Sequence, residues 1–108
     1  MTRAVIAGND VSSLGEALTT EGVDVTTATG TANRDALEAA GIAEADVLVI
    51  TEMRLATSIP VAKELNPDVR VVVYAEGSLP DFARGQAGHI LDPKLMDPSF
   101  VAEEVAAA

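Results

Sequence analysis

Val47-Leu48-Val49-Ile50 and Val69-Arg70-Val71-Val72-Val73 are the two stretches on which the reading of the fold turns. Each is short, β-branched and apolar with almost no polar alternation, which is the pattern of a strand covered on both faces. Strands covered on both faces belong to parallel sheets, and parallel neighbours need a crossover between them. Working outward, similar runs recur at Arg3 to Ala7, Val23 to Ala28, Asp46 to Thr51 and Val69 to Tyr74, with a weaker one at His89 to Leu91.

Helix-like segments lie between these runs, most of them with recognisable ends. The first carries Val11, Leu14 and Leu18 and stops at Gly22; the second opens near Asn33, buries Leu37 and Ala40 and stops at Gly41. A third spans Ser58 to Leu65, with Pro60 in its first turn and Asn66-Pro67-Asp68 as the stop, so Glu52 to Thr57 reads as a loop or irregular turn. A fourth opens at Ser78 with Pro80 in its first turn. The last takes Asp97 as N-cap and Pro98 at N1 ahead of Phe100, Val101 and Val105, with residues 106–108 fraying. Strands alternating with helices through short connections predict an α/β three-layer sandwich: a five-stranded parallel sheet with right-handed crossovers and helices on both faces. The expected strand order is the flavodoxin-like 2-1-3-4-5, because the Rossmann order needs a further strand beyond the second on the same side of strand 1. At 108 residues the chain reads as a single domain over 1–108.

Composition narrows the function classes. There is no cysteine and a single histidine, His89, which excludes disulfides, thiol chemistry and a multi-histidine metal site. Seventeen acidic residues against seven basic ones give a formal charge of −10. Such a surface repels nucleic acid and anionic lipid. Alanine, valine and threonine dominate, and Tyr74, Phe82 and Phe100 are the only aromatics. The balance looks like that of a salt-adapted halophilic protein, whose carboxylates hold hydrated cations where salt screens longer-range repulsion. No run is long and apolar enough for a membrane helix and the N-terminus does not read as a signal peptide, so a cytoplasmic location is expected.

In such a sheet ligands bind at the carboxyl ends of strands 1 and 3, where the strand order reverses. This selects Gly8, Asn9, Asp10, Ser12 and Ser13 after strand 1, Thr51 and Glu52 after strand 3, and Ser78 after strand 4 as candidate ligand-binding residues. Asp10 and Ser13 stand where a dinucleotide loop has its second and third glycines, and Ala28-Thr29-Gly30 supplies no acid for a ribose. Asp10 has two readings: an N-cap for the first helix, or, with Glu52, a weak oxygen site for a divalent cation such as Mg. Otherwise no cofactor is expected. The hydroxyls of Thr51, Thr57, Ser58 and Ser78 have no histidine or lysine beside them in the sequence, so capping and turn roles are expected of them. His89 begins strand 5 at the opposite rim, as a surface or edge histidine.

Ala4-Val5-Ile6-Ala7-Gly8, Glu21-Gly22-Val23-Asp24-Val25, Val69 to Ala75, and Asp92-Pro93 followed by Asp97-Pro98 resemble a small uncharacterised haloarchaeal family whose members sometimes carry a CTP synthetase label. That label would require an amidoligase phosphate loop and a cysteine glutaminase nucleophile, and the sequence has neither. Ala45 to Ile50, with Val61 to Val71, looks like the second half of the nucleotide-binding domain of potassium-transport regulators, without that family's glycine loop and ribose acid. The chain is also similar to two-component receiver domains. The resemblance implies paired acids after strand 1, matched by Asp10, and a lysine after strand 5, matched by Lys94. It also implies a phosphoacceptor aspartate ending strand 3 and a hydroxyl after strand 4; here these places hold Thr51, beside Glu52, and Tyr74-Ala75. The function expected is a salt-adapted, non-catalytic interaction or regulatory module of pseudo-receiver or degenerate Rossmann type, with an unknown protein partner. The alternative is a small-molecule or nucleotide-binding protein using the cleft at strands 1 and 3.

Overall fold

A parallel strand covered on both faces hands its side chains alternately to two cores, and the three central strands do so. The structure is a computed structural model that describes residues 2–8, 14–28, 30–76, 85 and 88–107. In it β1 (Arg3–Ala7), β2 (Asp24–Ala28), β3 (Val47–Ile50), β4 (Arg70–Tyr74) and β5 (His89–Leu91) form one sheet in the order β2-β1-β3-β4-β5. All four pairings are parallel, and one row across the sheet reads Thr27, Ile6, Val49, Val72, His89. Val5, Ala7, Leu48, Ile50, Val71 and Val73 enter one core; Ala4, Ile6, Val47, Val49, Val72 and Tyr74 enter the other.

The helices divide between these faces. Helix α2 (Arg34–Ala39) and helix α3 (Ser58–Leu65) close the first core through Leu37, Ile59 and Ala62. Helix α1 (Leu14–Thr20) and helix α4 (Pro98–Ala106) close the second through Leu14, Leu18, Val101, Ala102 and Val105. Three layers result, as the uninterrupted apolar strands require. The opening expected at Ser78 lies outside the described residues.

Local signals account for several boundaries. Asn33 caps α2, its Oδ1 accepting the Ala36 N–H at 3.0 Å. The chain leaves that helix through Gly41 at φ 82°, a left-handed turn that glycine takes without steric cost. Helix α3 has the bounds its sequence predicts. Asp97 sits at the N-cap position of α4 with Pro98 after it, yet its carboxylate makes no capping bond and instead accepts from Ser99 Oγ at 3.4 Å. Two 3-10 turns, Ile42–Glu44 and Met53–Leu55, join the larger elements. The second occupies the stretch expected to be irregular; the first was not foreseen. The outer strands also differ from the expectation of full cover. Asp24, Thr26 and Thr27 of β2 and His89 and Ile90 of β5 are exposed, because an edge strand has no neighbour on its outer side.

Candidate functional site

The carboxyl ends of β1 and β3 meet through Thr51. Its N–H donates to the Ala7 carbonyl at 3.0 Å, its Oγ1 donates to the same oxygen at 3.3 Å, and the residue is buried. Gly8 follows Ala7 at φ 116°, in backbone space that side chains rarely adopt. A Cβ there would collide with Thr51 Oγ1 and crowd Glu52 Oε2 and Cγ. The absence of a side chain at residue 8 is therefore what lets the Thr51 hydroxyl lie over the end of β1.

Beyond Thr51 the chain turns into the 3-10 segment, which brings Arg54 back onto Glu52: Arg54 Nε lies 2.8 Å from Glu52 Oε1. A cleft of about 310 Å³ opens alongside, lined by Thr51, Glu52, Met53, Ala75, Glu76 and Pro93. It spans the ends of β3 and β4 and the turn after β5. Lys94, from that turn, stands 3.7 Å from Glu76, with both side chains largely exposed. Among the described residues the rim thus holds two carboxylates, each faced by one cation, and the buried hydroxyl of Thr51.

Of the sequence-derived candidates, Gly8, Thr51 and Glu52 come together here. Asn9, Asp10, Ser12, Ser13 and Ser78 lie outside the described residues, and with Asp10 goes the proposed Asp10–Glu52 cation pair. Ser58 is buried and donates to the Ala32 carbonyl at 2.8 Å, fastening the start of α3 to the chain before α2. His89 is exposed at the start of β5, its Nε2 3.3 Å from Arg70 Nη2 at the start of β4. That is the rim opposite the cleft. Among the described residues no group of three acidic or histidine side chains could hold a metal ion, and no helix is long and apolar enough to cross a membrane. Pro93 was not singled out from the sequence; its signal was the Asp92-Pro93 step directly after β5.

Among the described residues near this end of the sheet, Tyr74 is shifted in acidity. Its ring is buried beneath α1 and α4, and its hydroxyl donates to the Met96 carbonyl at 2.6 Å. Burial raises the phenol above its ordinary value, and the nearby charge of Asp97 adds to the effect.

A family profile described as a family of unknown function (DUF7126) matches residues 4–105. The chain belongs to DUF7126. No protein of curated function matches it significantly. Several solved structures share the fold of this DUF7126 chain. An orphan response regulator of H. pylori shares 16% identity at a TM-score of 0.71, the alignment covering 98% of this chain and 94% of that one. The receiver domain of NtrC4 from Aquifex aeolicus shares 18% identity at a TM-score of 0.68, with 100% of both chains covered. A response regulator protein from Burkholderia pseudomallei, with a phosphorylated aspartic acid, calcium ion and citrate, shares 21% identity at a TM-score of 0.68, covering 99% of this chain and 72% of that one. At these identities the likeness is one of fold, and it agrees with the strand order 2-1-3-4-5.

Proposed function

We propose that this DUF7126 chain is a non-catalytic regulatory or interaction module of the pseudo-receiver kind, acting through a protein partner in a salt-rich interior. The observation that carries the reading is Thr51. In receiver domains, which the sequence resembles, strand 3 ends in the carboxylate that accepts a phosphoryl group, and one structural relative bears a phosphorylated aspartic acid. Here β3 runs into a buried threonine whose hydroxyl donates to the Ala7 carbonyl. A hydroxyl held as a hydrogen-bond donor to a backbone carbonyl is not an activated nucleophile. The adjacent carboxylate, Glu52, is engaged by Arg54. No resident cofactor forms part of this reading.

Incubation with acetyl phosphate and magnesium, followed by intact-mass measurement, tests it. The mass is expected to stay unchanged, whereas stoichiometric acid-labile phosphate on Glu52 or Asp10 would make the chain a working receiver. The cleft of about 310 Å³ supports a second reading, a small-molecule site. With Glu52 and Glu76 faced by Arg54 and Lys94, the described rim carries no net charge and favours a neutral polar ligand. A compound that binds there raises the unfolding midpoint in high salt by mass action, and loses that effect in Glu76→Gln.

A further inference from the structure

Between the C-terminal half of α1 and the start of α4 lies a second groove, of about 400 Å³ and mostly apolar lining. Ala17 and Pro98 supply apolar wall, and Glu16, Glu21 and Asp97 bring carboxylates to its edges. We propose that this groove docks a basic segment of a protein partner, the stem of an arginine side chain lying along Ala17 and Pro98 and its guanidinium held between the carboxylates.

Carboxylates outside any described ion pair, set beside an apolar groove, distinguish this place from the paired sites elsewhere. On the face formed by α2 and α3, Arg34 already pairs with Glu38 and Glu64. At the cleft beyond β3, Arg54 and Lys94 face Glu52 and Glu76. Helices α1 and α4 contain neither lysine nor arginine, and among the described residues no ion pair involves Glu16, Glu21 or Asp97. The groove is therefore a concave apolar surface whose rim charge no cation among the described residues neutralises. A guanidinium brings five N–H donors and no acceptor, and its three-carbon stem covers apolar surface while the head stays among polar groups. An acidic or phosphate-bearing partner would instead bring like charge against like. The inference stands apart from the pseudo-receiver reading, since it uses no residue of the Thr51 site.

The test is an NMR titration of the full ¹⁵N-labelled chain with a capped Arg-Ala-Leu-Arg peptide. Amide shifts are expected to concentrate at residues 16–21 and 97–99. Glu16→Gln combined with Asp97→Asn should weaken binding at least tenfold. Glu103→Gln combined with Glu104→Gln removes the same charge from exposed positions on α4 outside the groove and should weaken it less than twofold. Glu16→Gln combined with Glu21→Gln repeats the first arm without touching the start of α4, and thermal melts verify that each variant is folded. Equal loss in the groove and control variants would reduce the effect to general attraction and overturn the proposal. So would shifts centred elsewhere, or spermine matching the peptide in affinity at the same residues.

Discussion

Tyr74 shows how one side chain can tie two elements that the sequence sets apart. Its ring fills the core beneath α1 and α4, and its hydroxyl holds the Met96 carbonyl in the turn before α4. Tyr74→Phe keeps the packing but leaves that carbonyl without its partner, so a loss of about 1 kcal/mol is expected in chemical denaturation. The weakened acidity of the buried phenol gives a second handle. A phenol whose value is higher in the folded state than in the unfolded chain contributes stability that is intact below the unfolded value, about 10. That contribution disappears as pH rises from there through the folded value. Tyr74 is the one tyrosine in the chain, so tyrosinate absorbance should titrate above the unfolded value, and Tyr74→Phe should remove this part of the alkaline destabilisation. Gly8 and Thr51 form a pair of a different kind. Gly8→Ala places a Cβ against Thr51 Oγ1 in positive-φ backbone, at an expected cost of about 3 kcal/mol. Adding Thr51→Ala removes the collision but not the backbone strain. The double variant should therefore be less destabilised than the sum of the two single ones, which a double-mutant cycle in urea measures.

Among the connections between elements, Asn66 matters more than its place as a helix stop suggests. Its Nδ2 donates to the Ile42 and Ala45 carbonyls, both at 2.9 Å, and its Oδ1 accepts the Asp68 N–H at 3.2 Å. One amide thus joins the end of α3 to the 3-10 turn that leads into β3. Asn66→Ala should cost about 2 kcal/mol, and Asn66→Asp at least as much, because the carboxylate would meet two carbonyl oxygens; equilibrium urea unfolding is the check. The strands and α3 were legible because their signals are local: β-branched runs, the Asn33 cap, the Asn66-Pro67-Asp68 stop. The turn Ile42–Glu44 was not, because what holds it is a side chain from beyond the next strand. Exposure along β2 followed from strand order, although Thr26 and Thr27 hinted at it. Gly8, Thr51 and Glu52 were legible as a group once that order was inferred. The extension of the cleft to Pro93 was not, since it depends on the path of the turn after β5.

At the scale of the molecule, charge sets the conditions under which all this holds. Against a net −10, the few cations are spread thinly, and Arg34 serves two glutamates at once. Unscreened repulsion acts over about 30 Å at 0.01 M salt and about 3 Å at 1 M. The unfolding midpoint should therefore rise from dilute buffer to molar KCl; a midpoint that does not move would count against salt adaptation. The same screening weakens the repulsion between copies, so protection against association passes from charge to geometry. An open sheet edge is a template on which a second sheet can grow. On one side that template is β5, three residues long, too short to seed an extended ladder. On the other, β2 opens with Asp24 and shows two threonines, with no apolar strip to offer a partner sheet. Brevity at one edge and polarity at the other both disfavour fibre growth at molar salt, where electrostatic repulsion does least to prevent it.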